Sequence, residues 1–557
     1  MTSRVWWRWA LLTACAVSQA CGESTPPPGI SALRDGLDAW DWAMVALYAL
    51  AMLGIGLYYS RRNKSAEDYY VGGRTMSPIM VGLSLFATMI STISYLSTPG
   101  EIIRHGPGFL ADVLALPFSY FIVGFLIIPY ISKLPVTSAN EILYNRFGSG
   151  VRMLGCIIFL LIRFIWMGLI IYTSSKVVVV AIGLHGQTTP YVACAIGIVT
   201  VVYASLGGIR AVVLTDAIQA IILFFGVIAA IVIITVKLGG IAWFPTQWAP
   251  NWDSQPFASY DPRVRTTVVG MIVSSTTWWI CTAGADQMAI QRFMSTRNPQ
   301  AARRAFLINN ISTGLVTLLL GVLGFALLGF FRANPQYLTE SMNLSENADS
   351  LFPYFIVHFT GYGIAGLIMA GILAAAMSSL SSGINSTCTV INTDIVERYF
   401  KKGLGDAQRM ALAKGTSFFV GFSAILLSLV IQNVSGNLLE VTSKTSNLLI
   451  APLFGLFFFA MFVRFATPLG AVFGSAYGFL AAFLMAFGDL AGWPPLSWQW
   501  ITPTALVVDI ATGTLCCLIR TQGRSTVFKL ALCAVYALPL IAVAVVFALA
   551  CLGHRAL

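Results

Sequence analysis

In the segment GILAAAMSSLSSGINST, residues 371–387, Ala375, Ser378, Ser379 and Ser382 recur at i, i+3, i+4 and i+7, so they share one face of a helix. Hydroxyl oxygens aligned in an apolar run are hard ligands suited to an alkali cation. A sodium ion stripped of water in a bilayer needs about five oxygens, which hydroxyls and carbonyls freed at a helix break can supply without a full countercharge. The same spacing also describes a seam of small residues along which helices pack closely, and spacing alone does not separate the two readings. A second run, Ser84, Thr88, Ser91, Thr92, Ser94, Ser97 and Thr98, precedes Pro99-Gly100-Glu101 and has too many hydroxyls for a helix facing lipid. Taken whole it fits a pathway wall better than a packing seam. The third feature is SLGGIRAVVLTDAIQAI, residues 205–221, where Thr215, Asp216 and Gln219 follow a Gly-Gly hinge. A carboxylate near the head of an apolar helix either complements the helix dipole or ligates a cation, depending on what lies beside it.

The elements that must position these groups are membrane-spanning helices. The chain has 557 residues, 57% hydrophobic and only 10% charged, far below the charge content of a soluble domain. Apolar runs long enough to cross a hydrocarbon core recur throughout. About fourteen transmembrane helices are expected, at 42–59, 79–96, 109–131, 153–180, 191–206, 212–236, 268–288, 306–331, 363–391, 410–431, 439–463, 470–487, 505–519 and 530–552. The formal charge of +11 does not imply a nucleic-acid partner, because in such a chain the placement of Lys and Arg matters more than their sum. Arg61, Arg62, Lys64, Arg292, Arg303, Arg304, Arg398, Lys401, Lys402 and Arg520 fall on one side. After Trp42 the other side holds only Arg104, Lys237, Arg263, Arg265, Arg332 and Arg555. The bias places both termini outside an inner (plasma) membrane. Export of the N-terminus is provided for by Arg4 and Arg8 followed by the apolar run from Trp9 to Val17, a signal peptide over 1–20 with cleavage after Ala20. Residues 21–41 then read as a polar external tail. Lipidation of Cys21 is disfavoured by Ser18 at a position where an apolar residue is expected.

Catalysis and nucleotide-driven pumping find no support. The ten cysteines lie mostly within predicted spans without metal-site spacing, and no GxxxxGK[ST] phosphate loop is present. The chain reads as a transporter, not an enzyme, with no resident cofactor.

Five segments in order give the chain a specific resemblance: AEDYYVGGRTMSP (66–78), YASLGGIRAVVLTDAIQ (203–219), ADQMAIQRFMSTRNPQAA (285–302), GILAAAMSSLSSGINSTCTVINTDI (371–395), and APLFGLFFF with TPLGAVFG (451–474). Together they resemble the sodium/solute symporter family, which includes bacterial sugar and proline symporters and animal glucose, iodide and monocarboxylate carriers. The resemblance implies an all-α polytopic fold with a LeuT-like core of two inverted five-helix repeats. The first would span 79–238 (helices two to six) and the second 266–463 (helices seven to eleven), each opening on a helix broken at mid-membrane. Residues 42–60 and 467–557 would supply peripheral helices, the first and the twelfth to fourteenth.

Carried over residue by residue, the family's common sodium site would use the carbonyls of Ala87, Ile90 and Ala375 and the hydroxyls of Ser378 and Ser379. A second sodium would lie among Asp216, Ser378, Ser381 and Ser382. The solute pocket would lie beside Met89, Ser91, Thr92, Ser94, Trp279 and Thr282. Sugar carriers place polar and aromatic ligands where this chain has Met89, Ile93, Ser94 and Thr282, so a hexose is disfavoured. STPGEIIRHG (97–106) is closer to the monocarboxylate, vitamin and iodide branch. Lys444 and Arg163 could balance a negative solute if they face the cavity, or pair with acids instead. The expected activity is sodium-coupled uptake of a small solute by alternating access, with a preference for a small organic anion. The rival readings are a neutral sugar or amino-acid-like solute, a proton-coupled carrier, a channel, and a sensor on the same fold.

Overall fold

The computed structural model describes residue 34 and residues 36–519, apart from 64, 135–136, 183, 255–257, 339–342, 401–402, 432–437, 492–493 and 495. The expected signal peptide, most of the expected tail and the fourteenth helix lie outside the described residues. What is described is helical, with one isolated bridge between Met76 and Thr296. In chain order the principal helices are α1 (Ala39–Arg62), α2 (Pro78–Met89), α3 (Thr92–His105), α4 (Pro107–Ile131), α5 (Ser149–Ala181), α6 (Thr189–Lys237) and α7 (Val268–Ala285). They continue with α8 (Gln287–Met294), α9 (Pro299–Ala333), α10 (Ile364–Val390), α11 (Asp406–Val430), α12 (Leu438–Phe462), α13 (Pro468–Phe487) and α14 (Ile501–Leu518). Among the described residues ten helices are long and apolar enough to cross a membrane, or eleven when α2 and α3 are taken as one bent span. That count falls short of fourteen partly because the expected fifth and sixth helices run on as α6.

Three local breaks shape the interior. Between α2 and α3 the chain bends by 64°, with Ile90 in an extended conformation (φ −87°, ψ 105°) and Ser91 capping α3 by accepting from the Ser94 N–H. Between α7 and α8, Asp286 leaves the helical region (φ −78°, ψ 122°) and its Oδ1 accepts the Met288 N–H at 2.9 Å. Ser and Asp are the side chains that restart a helix in this way. Each interruption leaves the last carbonyls of the preceding helix without an intrahelical partner.

The third break is Gly208 within α6 (φ 60°, ψ −164°), a backbone conformation restricted to glycine, and a Cβ there would stand 2.7 Å from Tyr69 Cδ2. Gly208→Ala therefore costs about 1–3 kcal/mol in backbone strain alone. A lower melting temperature in detergent checks this, with Gly54→Ala, which meets nothing within 4 Å, as the unaffected control.

α10 forms the axis of the molecule and is buried along nearly its whole length. Its run of Gly, Ala and Ser lets neighbouring backbones approach closely, as membrane helices require in the absence of a hydrophobic driving force. α6 packs along it, and α1 closes against both. Gly56 of α1 lies against the backbone of Tyr203, and the Gln219 amide donates to the Tyr48 hydroxyl at 2.7 Å. Buried Asp41 accepts the N–H groups of Gly363 and Gly366 at 2.8 Å each, capping the start of α10. The first helix thus fixes the position of the helix that carries the serines.

Candidate cation and solute site

The serine face of α10 meets the end of α2. The Ser378 hydroxyl donates to the Ala87 carbonyl at 2.7 Å and to the carbonyl of Ala375, one turn back, at 3.2 Å. Ser379 donates to the Thr88 carbonyl at 2.9 Å. Ala87 and Thr88 are at the C-terminal end of a helix that stops at Met89, so their carbonyls are among those the break releases. The negative end of the α2 dipole points the same way. Ala87, Thr88, Ala375, Ser378 and Ser379 are fully buried, and Ile90 is 8% exposed at the bend itself. Of the residues expected for the first sodium site, Ala87, Ala375, Ser378 and Ser379 fall at one junction, where oxygens from an interrupted helix face hydroxyls from an intact one, and Ile90 stands at the bend that ends that helix. Thr88, not among the expected ligands, adds a carbonyl.

One turn along α10 is a charged cluster. Asp216 Oδ2 accepts from Ser84 at 2.6 Å, from Thr88 and Ser382 at 3.3 Å each, and from Arg292 Nη2 at 2.9 Å. Arg292 also donates to the Ser84 hydroxyl at 2.9 Å, to the Met288 carbonyl at 2.9 Å, and to Ser382. Asp216 and Arg292 are both fully buried, and Asp216 Oδ1 has no hydrogen-bond partner among the described residues. Of the expected second set, Asp216 and Ser382 come together. Ser378 makes its bonds at the α2 break, and Ser381 donates to the Ser378 carbonyl at 3.0 Å. The cluster expected to use a cation to balance Asp216 already contains a guanidinium. Thr88 joins the two groups, with its carbonyl on Ser379 and its hydroxyl 2.9 Å from that of Ser382.

A cavity of about 230 Å³ opens beside both breaks. Met89, Ser91, Ser94, Trp279 and Thr282 line it, as expected. Thr92 does not: its hydroxyl donates to the Ile372 carbonyl at 3.0 Å, which turns it onto α10. Arg163 of α5 lines the cavity, pairs with Asp286 at the α7 break, and places its guanidinium 4.9 Å from the Trp166 ring centroid. Lys444 lines a separate depression with Asp489, so it does not balance charge in this cavity. The cavity also takes Asp112, Ser275, Trp166, Trp278 and Trp498, none of them expected from sequence, and the Thr282 hydroxyl is buried without a partner among the described residues.

Arg292 is the most consequential omission. In ADQMAIQRFM it reads as one more inner-face cation. The available signal was local: Met288, Ala289, Ile290, Phe293 and Met294 surround it with apolar residues, and every residue of α8 is buried.

Known proteins resemble this chain over most of its length. The profile of the sodium:solute symporter family matches residues 69–478. The sodium/sialic acid symporter SiaT of Proteus mirabilis is 28% identical over 81% of this chain and 90% of its own length. The sodium-coupled monocarboxylate transporter 1 of Xenopus laevis is also 28% identical, over 81% of this chain and 72% of its own. A solved structure of a Na⁺-coupled sialic acid symporter, substrate-bound and outward-open, superposes with a TM-score of 0.75 at 26% identity, covering 86% of this chain and 98% of that one. A multi-pass helical architecture shared with a LeuT-like transporter and a match over most of the sequence lead to one conclusion: the chain belongs to the sodium:solute symporter family, whose members are transporters that take sodium as co-substrate.

Proposed function

We propose that this protein carries a small organic solute into the cell together with sodium, with Ala87, Ile90, Ala375, Ser378 and Ser379 as the sodium ligands and the cavity beside them as the solute site. The contact of Ser378 and Ser379 with the Ala87 and Thr88 carbonyls carries the reading. Those hydroxyls and carbonyls come from two helices, so a cation held between them also holds α2 against α10. The solute cavity shares the α2 bend through Met89, Ile90 and Ser91. An ion that fixes the bend thus shapes the solute site, and the two bind cooperatively.

The drive is ample. One charge crossing 100 mV releases roughly 2.3 kcal/mol, and an assumed tenfold sodium gradient adds about 1.4. Together they support roughly 500-fold accumulation per ion.

For the solute the reading is a small organic molecule with a carboxylate end, supported by Arg163 on the cavity wall and by the N-terminal end of α3 at Ser91. Asp216 and Ser382 form the core of a second candidate cation site through the unpartnered Asp216 Oδ1. The architecture behind both is two repeats, 79–238 and 266–463, opening on the breaks at Ile90 and Asp286. A fourteenth span over 530–552 and an inner-membrane location with both termini outside complete the proposal. Proteoliposomes preloaded with potassium should accumulate a stabilising metabolite, identified by sodium-dependent melting shifts across a library, only under an inward sodium gradient. Equal uptake with potassium or choline outside would contradict sodium coupling.

A further inference from the structure

Asp112 stands on the wall of the solute cavity, on α4. Its carboxylate accepts from the Ser275 hydroxyl of α7, and among the described residues no Lys, Arg or His makes an ion pair with it. Nearby cations are engaged elsewhere: Arg163 with Asp286, and Arg265 with Glu101. The cavity lining thus holds two carboxyl groups and one guanidinium. A solute carrying only negative charge would find its one cation already neutralised and a second carboxylate facing it.

The placement of these groups sets a length. Ser275, which touches Asp112, lies within α7, and Asp286, which touches Arg163, caps the C-terminal end of the same helix. At 1.5 Å per residue they are about 16 Å apart along its axis. The two contacts are thus about three helical turns apart, so a ligand that reaches both has its charged ends well separated. An α-amino acid is too short. Between the two ends the wall is aromatic, with Trp166, Trp278, Trp279 and Trp498, which suits an apolar or ring-bearing middle and whose faces also attract a cation.

We infer that the solute is an elongated amphoteric molecule whose protonated amine pairs with Asp112 while its carboxylate lies at the α2 and α7 breaks beside Arg163. This rests on the cavity being the solute site of the proposed symporter. It makes Asp112 a specificity-determining residue, selecting by the charge of the solute's far end.

Four probes separate the outcomes in nanodiscs: 8-aminooctanoate, its N-acetyl derivative, octanoate and glycine, each tested for sodium-dependent melting shifts. The expected result is that 8-aminooctanoate acts at concentrations at least tenfold below the other three. Asp112→Asn, which keeps an oxygen for the Ser275 hydroxyl, should bring 8-aminooctanoate and its N-acetyl derivative to near equality. The wild-type comparison needs no variant, so it stands even if the Asn protein folds poorly. A sodium-dependent shift with octanoate as strong as with the amine, or an undiminished amine preference in Asp112→Asn, overturns the inference and leaves sodium symport intact. No response to any of the four overturns the inference as well. A failure of the whole metabolite library to give a sodium-dependent response would instead count against the proposed function.

Discussion

Arg292→Met unfolds the core in part and abolishes uptake, the largest effect expected of any single substitution in this protein. The change leaves Asp216 as a carboxylate with no countercharge in a fully buried position, where its remaining partners are the hydroxyls of Ser84, Thr88 and Ser382. Removing one member of a buried ion pair costs about 3–5 kcal/mol, most of it from the charge left behind. Asp216→Asn has the mirror-image defect, stranding the guanidinium. The double variant Asp216→Asn/Arg292→Gln removes both charges, keeps hydrogen-bonding groups, and should recover much of the lost melting temperature. Its transport then decides what the pair does. If Asp216 also ligates a second sodium through Oδ1, the reversal potential of the double variant reports one ion fewer per solute. An unaltered reversal potential assigns the pair to structure alone.

Ser379→Ala is expected to raise the sodium concentration for half-maximal uptake roughly tenfold or more. A hydrogen bond to a charged group contributes about 1.5–3 kcal/mol, and losing one coordinating oxygen should cost a comparable amount. Stability should also fall, by about 1–3 kcal/mol, because the buried Thr88 carbonyl loses its partner, so sodium dependence is compared in protein that still melts cooperatively. Ser381→Ala is the natural control: its hydroxyl bonds within α10 to the Ser378 carbonyl and does not reach α2. Equal sodium curves for the two variants would remove Ser379 from the ion site.

What could be read in the sequence follows the range over which each signal acts. The face shared by Ser378, Ser379 and Ser382 is a property of one helix and needs no partner to be seen. A break in this helix was expected from the resemblance, with which the density of hydroxyls agrees, and those hydroxyls do cap and line the bend. Thr92 illustrates the limit of that logic. It belongs to the same run, but α3 begins at this residue and turns its hydroxyl to Ile372 rather than to the cavity. Asp216 was conspicuous as a charge in an apolar helix, whereas Arg292 was not, because its role depends on α8 folding back beside α6 across a stretch of 76 residues. Arg163 and Lys444 looked equivalent as intramembrane cations, and only their different neighbours, Asp286 for one and the Asp489 depression for the other, tell them apart. Asp112 was hidden for a related reason. Its significance lies in having no basic partner among the described residues, and that is a tertiary fact.

The account depends on a cation held between the end of α2 and the serines of α10, and binding of radioactive sodium to the purified protein tests this most directly. Wild type should bind sodium saturably, displaced by unlabelled sodium and not by potassium, and the Ser378→Ala/Ser379→Ala double variant should lose at least one ion equivalent while still melting cooperatively. Binding of the same stoichiometry and affinity in the folded double variant would contradict it.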